Sequence, residues 1–337
     1  MARRRRHRGV QPYRILIVGL LLICGVFVYR WWPVDSPPEA PPRLTSDRPE
    51  TPASVPEQMP ELGQEDLTTS ATSAATVPAP SVDAERSERV DALIAAGREA
   101  HRQADLLTAR AQWTEALKLG VSGADGIALR ADLTRLGEET IFSPRVIRGD
   151  PLVDLYVVQS GDTLGKIAKA NQVPDDLIEK INGLPNKDVI RVGQTVKVIH
   201  GPFHAVVDKS SYGMDVYCQD TFVKHFAVGL GANDSTPAGK WKVSNKLVDP
   251  IWYPPRGGQI MSASDPENPL GERWIGLDGV DGDAVGQMRY GIHGTIEPDS
   301  IGKSVSLGCI RMHNPDVEFV FDLLVDEFSQ VTVKEGP

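Results

Sequence analysis

From His204 onward the chain alternates apolar and polar residues with a period of two, which restricts this third of the molecule to β-structure. Ala205-Val206-Val207-Asp208, Met214-Asp215-Val216-Tyr217 and Phe222-Val223-Lys224-His225-Phe226-Ala227-Val228 read as strands. Turn clusters such as Gly231-Ala232-Asn233-Asp234 separate them. One helix is expected from Asn314 to about Phe328, where Val317, Val320, Phe321 and Leu324 share a face. The segment Asp249 to Asp281 is long and rich in Gly, Pro and Trp.

Two runs near the end of this region carry chemistry: Tyr290-Gly291-Ile292-His293-Gly294-Thr295 and Ser304-Val305-Ser306-Leu307-Gly308-Cys309-Ile310-Arg311-Met312. They place a histidine and a cysteine in one glycine-rich neighbourhood. A thiol becomes a strong nucleophile once deprotonated, and an adjacent imidazole can take its proton. Gly308 lets the backbone approach a ligand closely, and amides near Leu307, Gly308 and Cys309 can hold an oxyanion.

Together with Thr236-Pro237-Ala238-Gly239-Lys240-Trp241 and Asn268-Pro269-Leu270-Gly271, these runs resemble the catalytic domain of the L,D-transpeptidases. Those are cysteine enzymes that cross-link bacterial peptidoglycan. The resemblance covers roughly residues 203 to 335, and the catalytic domain is taken as 203–337. It implies a mostly β fold, with Cys309 as nucleophile and His293 as general base. It also implies that Ser306 supports the loop, that Gly308 belongs to the catalytic turn, and that Arg311 positions a substrate carboxylate or the loop backbone. Tyr290 would line the cleft, and the carbonyl of Gly294 would orient His293. The loop from Asp249 would be a lid, with Trp252, Tyr253 and Trp274 as substrate contacts or as packing residues. One position departs from the family pattern. Relatives mostly carry a second histidine before Gly-Cys, and this chain has Leu307. That exchange is either tolerated or marks a slowed or specialised enzyme.

Residues 153–200 form a compact unit that resembles a lysin motif (LysM), a βααβ module that binds glycans containing N-acetylglucosamine. Leu155-Tyr156-Val157-Val158 and Val196-Lys197-Val198 would pair as strands, and Asp162 or Thr163 would cap the first helix. By resemblance, the glycan groove runs along Gly161, Asp162, Thr163 and Leu164 and along Asn182, Gly183, Leu184 and Pro185.

Residues 81–148 are helical in pattern. Val90, Leu93, Ile94, Gly97, His101, Ala104 and Leu107 recur at three- and four-residue steps. Ala111, Trp113, Ala116 and Leu117 continue into a second helix, and Ile127, Leu129, Leu133 and Leu136 into a third. The pattern resembles a single tetratricopeptide-like hairpin and is expected to act as a spacer. His101 and Trp113 read as packing residues.

Residues 1–14 form a basic tail. Ile15 to Tyr29 is uncharged and almost wholly apolar, and Arg30-Trp31-Trp32 closes it as an interfacial belt would. Residues 15–32 are therefore expected to be a transmembrane signal anchor, although this core is shorter than most spans and a cleaved signal peptide competes. A lipoprotein reading of Leu21-Leu22-Ile23-Cys24 is weakened by the bulky Ile23. The arginines place the N-terminus in the cytoplasm, and the later domains in the periplasm or cell-wall space. Residues 33–80, rich in Pro, Ser, Thr and Glu, cannot bury a core and read as a linker with a reach of roughly 40 Å.

Seven of the 36 basic residues precede residue 33 and no acidic ones do, which leaves 29 basic against 45 acidic residues beyond the span. That balance argues against nucleic acid and leaves peptidoglycan and the membrane as the expected partners. Three cysteines, Cys24, Cys218 and Cys309, are too few for a disulfide framework in an exported chain. Cys218 reads as a structural residue near a hairpin tip, and a bridge to Cys309 would block the nucleophile. No cofactor or metal is expected, although His293, Cys309 and His313 could in principle offer three zinc ligands. Three functions stay open. They are a transpeptidase making 3-3 cross-links or attaching protein to the wall, an L,D-carboxypeptidase or endopeptidase of the same fold, and a non-catalytic peptidoglycan-binding scaffold.

Overall fold

The computed structural model describes residues 82–255 and 257–336, all within one compact unit spanning Ala75–Pro337. The basic tail, the span and the Pro-rich linker lie outside the described residues. Among the described residues no helix is long and apolar enough to cross a membrane.

Three helices come first: α1 (Val82–Arg102), α2 (Leu106–Lys118) and α3 (Gly123–Gly137). The apolar periodicity runs on through Ala104, but the chain breaks there. Ala104 adopts φ 59°, and the Asp105 side chain caps α2 by accepting the Thr108 N–H at 3.1 Å. Trp113 and Leu133 are buried at the centre of this bundle, and His101 packs at 5.6 Å from the Trp113 ring. A single π-helical turn, Glu138–Phe142, ends α3.

The LysM-like unit contains β1 (Val153–Val157), α4 (Leu164–Ala170), α5 (Asp175–Ile181) and β2 (Thr195–Ile199). β1 and β2 pair antiparallel, with Tyr156 opposite Val196. Thr163 caps α4, accepting the Lys166 N–H at 3.2 Å. Asp162 instead accepts from the Gln159 N–H at 2.7 Å and the Tyr156 hydroxyl at 2.8 Å, and these bonds hold its carboxyl below the usual range.

Ten further strands follow: β3 (Phe203–Asp208), β4 (Gly213–Cys218), β5 (Thr221–Ala227), β6 (Leu230–Gly231), β7 (Gly239–Val248), β8 (Arg273–Gly282), β9 (Tyr290–His293), β10 (Ser304–Ser306), β11 (Ile310–Arg311) and β12 (Gln330–Lys334). Eight of them form one sheet in the order β11-β9-β8-β7-β12-β3-β4-β5, and β6 pairs with β10 in a small parallel ladder. The large sheet curls. Gly229, just past one edge strand, exchanges backbone hydrogen bonds of 2.8 and 2.9 Å with Arg311 in the other edge strand. The helix α6 spans Asn314–Phe321, shorter than the apolar spacing suggests, because the chain turns at Asp322 and buries Leu323 and Leu324 from the turn.

The helical region is more than a spacer. It packs on the β4–β5 edge, where Phe222 joins the helical core. Arg130 donates to Asp215 at 3.0 Å, and His225 shares the same carboxylate at 2.6 Å. Burial works against charge on Asp215, yet the His225 and Arg130 bonds hold its carboxyl below the ordinary range.

The LysM-like unit is docked as firmly. Lys197 of β2 is buried, and its ammonium donates to the carbonyls of Thr140, Ser143 and Arg145 at 3.0, 2.8 and 2.7 Å. Beside it, Arg110 of α2 makes a bidentate pair with buried Asp150 at 2.6 and 2.9 Å. One apolar core, including Ile141, Ile178 and Phe203, runs from this unit into the large sheet.

Candidate active site

Strand register assembles the site. β9 and β11 run parallel, with Ile292 opposite Ile310 and His293 opposite Arg311. Cys309 therefore stands beside Gly291. Side chains alternate along a strand, so Cys309, Arg311 and His293 project to one face, and the thiol and the imidazole are diagonal neighbours. β8 adds Trp274 opposite His293. The indole stacks on the imidazole at 5.9 Å and crosses Gly291, where a Cβ would lie 2.6 Å from the ring.

His293 is 4% exposed, and its Nδ1 lies 2.6 Å from the Gly294 carbonyl. A carbonyl only accepts, so Nδ1 carries the proton and Nε2 keeps its lone pair for a proton from elsewhere. Burial, helped by the Arg311 charge, lowers the His293 pKa to about 4, against the opposing pull of the Gly294 bond. Burial also raises the Cys309 thiol, opposed by a hydrogen bond from the Gly291 backbone and by Arg311. Both shifts favour uncharged partners, so the resting site holds a thiol and a neutral imidazole at neutral pH. Arg311 favours the thiolate and disfavours the imidazolium. Its guanidinium is itself fixed by Glu297 at 2.6 Å.

The turn before Cys309 is braced from two sides. The Ser306 hydroxyl donates to the Cys309 carbonyl at 2.7 Å and accepts the Gly308 N–H at 3.1 Å. The Gly308 amide is thereby engaged and is not open to a ligand. Gly308 has φ 133°, and a Cβ there would meet Tyr290 at 2.7 Å, so only glycine fits. Tyr290 packs on Trp241 at 5.1 Å between ring centroids. Leu307 is 62% exposed two residues before Cys309, where an apolar side chain can make contacts but move no proton.

Trp252 is placed differently. Its backbone exchanges hydrogen bonds of 3.0 and 3.1 Å with Met261, closing a turn within the loop from Asp249. Asn268 pins the base of that loop, donating to the Pro250 carbonyl at 2.8 Å. Tyr253 is exposed. His313 is exposed beyond the end of β11, just before α6. Among the described residues no cluster of three or more His, Cys, Asp or Glu could hold a metal ion. Cys218 is buried at the end of β4, and burial pushes its thiol up to about 12.

In the LysM-like unit the expected groove residues divide. Gly161, Thr163 and Gly183 are exposed, whereas Leu164 is buried in the core. The Asn182 side chain is occupied internally. It donates to the Ile178 and Lys197 carbonyls, each at 2.8 Å, and accepts the Lys197 N–H at 2.7 Å. Leu184 borders a cavity of about 400 Å³ together with Pro185, Val189, Arg191, Val192 and Gln194. The last four were not picked out from sequence. Val192, 70% exposed in a compact module, is the signal that could have found them.

The depressed His293 pKa makes stability pH-dependent. The folded value lies below the unfolded one, so the fold favours neutral imidazole. Its contribution is complete above about pH 6.5 and is lost as pH falls towards about 4. Denaturant titrations of the wild type and His293→Gln are expected to diverge across that window, by up to about 3 kcal/mol. Parallel curves would show that protonating His293 carries no such penalty.

Residues 202–333 match the family model of the L,D-transpeptidase catalytic domain, and residues 156–198 match that of the LysM domain. Several similar proteins are provisionally named L,D-transpeptidases. YqjB of Bacillus subtilis is 39% identical over 127 residues, 37% of this chain and 67% of that one. YkuD of Bacillus licheniformis is 31% identical over 171 residues, 48% of this chain and 88% of that one. ErfK/SrfK of Salmonella typhimurium is 29% identical over 191 residues, 52% and 51% of the two chains. The chain therefore belongs to the L,D-transpeptidase family, with a LysM domain N-terminal to the catalytic domain.

Proposed function

We propose that the protein is a cysteine transpeptidase that joins peptidoglycan stem peptides through 3-3 cross-links. The observation that carries the reading is the β9–β11 register, which sets Cys309 diagonal to a His293 whose Nδ1 is held by the Gly294 carbonyl. The site then works in two acyl transfers. His293 Nε2 takes the Cys309 proton as the sulfur attacks the carbonyl of the third residue of a donor tetrapeptide. The amides of Leu307 and Cys309 receive the oxyanion. The tetrahedral adduct collapses, the C–N bond breaks, and D-alanine leaves with the proton from the imidazolium. An acceptor amine then attacks the thioester, gives its proton to His293, and leaves a new amide with the thiol restored.

Because thiol and imidazole are both neutral at rest, the proton moves only as the substrate arrives. Trp274 shields the back of His293 from water, and the Gly294 carbonyl keeps its tautomer fixed. The two domains together imply binding to peptidoglycan. In this proposal the LysM domain holds the glycan while the catalytic domain works on the stems, and residues 15–32 tether both to the cytoplasmic membrane.

The test is incubation of the full-length protein with purified disaccharide-tetrapeptide, followed by mass analysis. A dimer lacking one D-alanine is the expected product. Tripeptide alone would replace this reading with hydrolysis. No product with intact glycan binding would replace it with a wall-binding scaffold.

A further inference from the structure

Thr236 opens the Thr-Pro-Ala-Gly segment, and no part of the reaction described above uses it. Its side chain is 2% exposed. The hydroxyl donates to the Gly308 carbonyl at 2.8 Å and accepts the Gly231 N–H at 2.9 Å. Both capacities of one buried hydroxyl are thus filled by backbone, and the donated bond lands on the peptide unit that joins Gly308 to Cys309.

That peptide unit is planar and trans, so its C=O and N–H point in opposite directions. Fixing the Gly308 carbonyl towards Thr236 aims the Cys309 N–H the other way, out of the turn. Glycine at 308 has no side chain to enforce this orientation, and its φ of 133° is one of several that glycine reaches easily. Ser306 cannot enforce it either, since its hydroxyl holds the Gly308 N–H and the Cys309 carbonyl, which belong to the neighbouring peptide units. The Gly308–Cys309 plane therefore depends on Thr236.

We infer that Thr236 is a positioning residue that sets the Cys309 N–H as an oxyanion donor by clamping the Gly308 carbonyl. The inference rests on the acyl-transfer reading of Cys309, not on which acceptor completes the reaction. It differs from a packing role in a measurable way. Acylation of a thiol passes through an oxyanion, whereas alkylation displaces a leaving group at carbon and forms none. Only the first needs the amide that Thr236 aims.

The experiment compares two reactions of Cys309 in the full-length protein, followed on the Cys309 peptide by mass. In one, p-nitrophenyl acetate transfers its acetyl group to the sulfur and releases p-nitrophenolate. In the other, iodoacetamide alkylates the sulfur and releases iodide. Thr236→Val removes the hydroxyl at nearly constant volume, and a cavity of about 220 Å³ bordered by Thr236, Tyr212 and Leu230 leaves room for adjustment. Thr236→Ala serves if the valine variant does not fold, and Thr236→Ser keeps the hydroxyl. Losing one oxyanion donor typically costs about 10²–10³ in rate, and misaiming one is expected to cost at least about 10-fold. The acylation-to-alkylation ratio should fall by that factor in the valine or alanine variant and stay within about threefold of wild type in the serine variant.

An unchanged ratio in the valine or alanine variant would overturn the inference. So would a serine variant that falls as far as valine, since that outcome belongs to the methyl group. Failure of the wild type to cross-link tetrapeptide would defeat the proposed function while leaving this ratio readable.

Discussion

Cys309→Ala is expected to abolish both cross-linked dimer and D-alanine release, a loss of at least about 10⁴-fold. No other described group can replace the thiol. Cys218 is buried, and its thiol is pushed up to about 12. His293→Gln keeps a hydrogen-bonding side chain but loses the base, and should lower kcat by about 10²–10⁴. The two residues act as one unit, so the double variant should be no slower than Cys309→Ala alone. Mass-resolved assays with disaccharide-tetrapeptide read all three proteins. Dimer formed by Cys309→Ala would place the nucleophile elsewhere. A double variant much slower than either single one would mean that the two side chains serve separate steps.

Asp150→Ala should be the most damaging substitution for stability. Asp150 accepts both arms of the Arg110 fork and the Leu152 N–H, with Lys197 nearby, and none of these charged groups reaches water. Removing the carboxylate leaves the Arg110 charge buried without its partner, a type of change that costs about 3–5 kcal/mol. It also lowers the Lys197 pKa further. Burial has already brought that value down to about 8, and Asp150 is what resists the fall. A matched control is Lys180→Ala, which removes a solvent-screened partner of Asp322 and should cost less than about 1 kcal/mol. Urea midpoints at constant slope report both changes. A loss of under about 1 kcal/mol for Asp150→Ala would mean that water reaches the Arg110 site once the carboxylate is gone.

The parts that were legible in the sequence share a physical reason. Strand alternation after His204 follows from one buried face, and the Ile-His-Gly and Gly-Cys runs carry residue types that few other folds need together. The Gly294 carbonyl as partner of His293 was also legible, because no acid stood at a fixed spacing. What stayed hidden depends partly on contacts between distant segments and partly on local caps and turns that periodicity does not report. Periodicity carried the first helix through Ala104, although Asp105, a preferred N-cap residue, is a local signal that a new helix starts there. Lys197 looks like an exposed strand lysine until three carbonyls from residues 140–145 converge on it. Asn182 looks like a groove residue until both ends of its amide are found holding β2. The Gly308 amide looks free until the Ser306 hydroxyl claims it. For Lys197 and Asn182 a polar side chain meets backbone far along the chain, and no window of local sequence contains both partners; Asp105 and Ser306 act on amides three and two residues away, where the signal was local but the conformation that uses it was not.

The three carbonyls around Lys197 have a consequence for how the molecule meets its polymer. A module on a loose leash would let the catalytic cleft search a sphere of stems around each docking point. Held through β2 to the end of the helical region, and sharing one apolar core with the large sheet, the LysM domain sets one distance and one angle. A glycan strand is a ladder with regularly spaced rungs, and a rigid gauge laid along it samples only those rungs that fall at its own length. Loosening that hold would convert a gauge into a fishing line. Under the proposed function, cross-links would then scatter along the strand, and the chemistry at Cys309 would be unaltered.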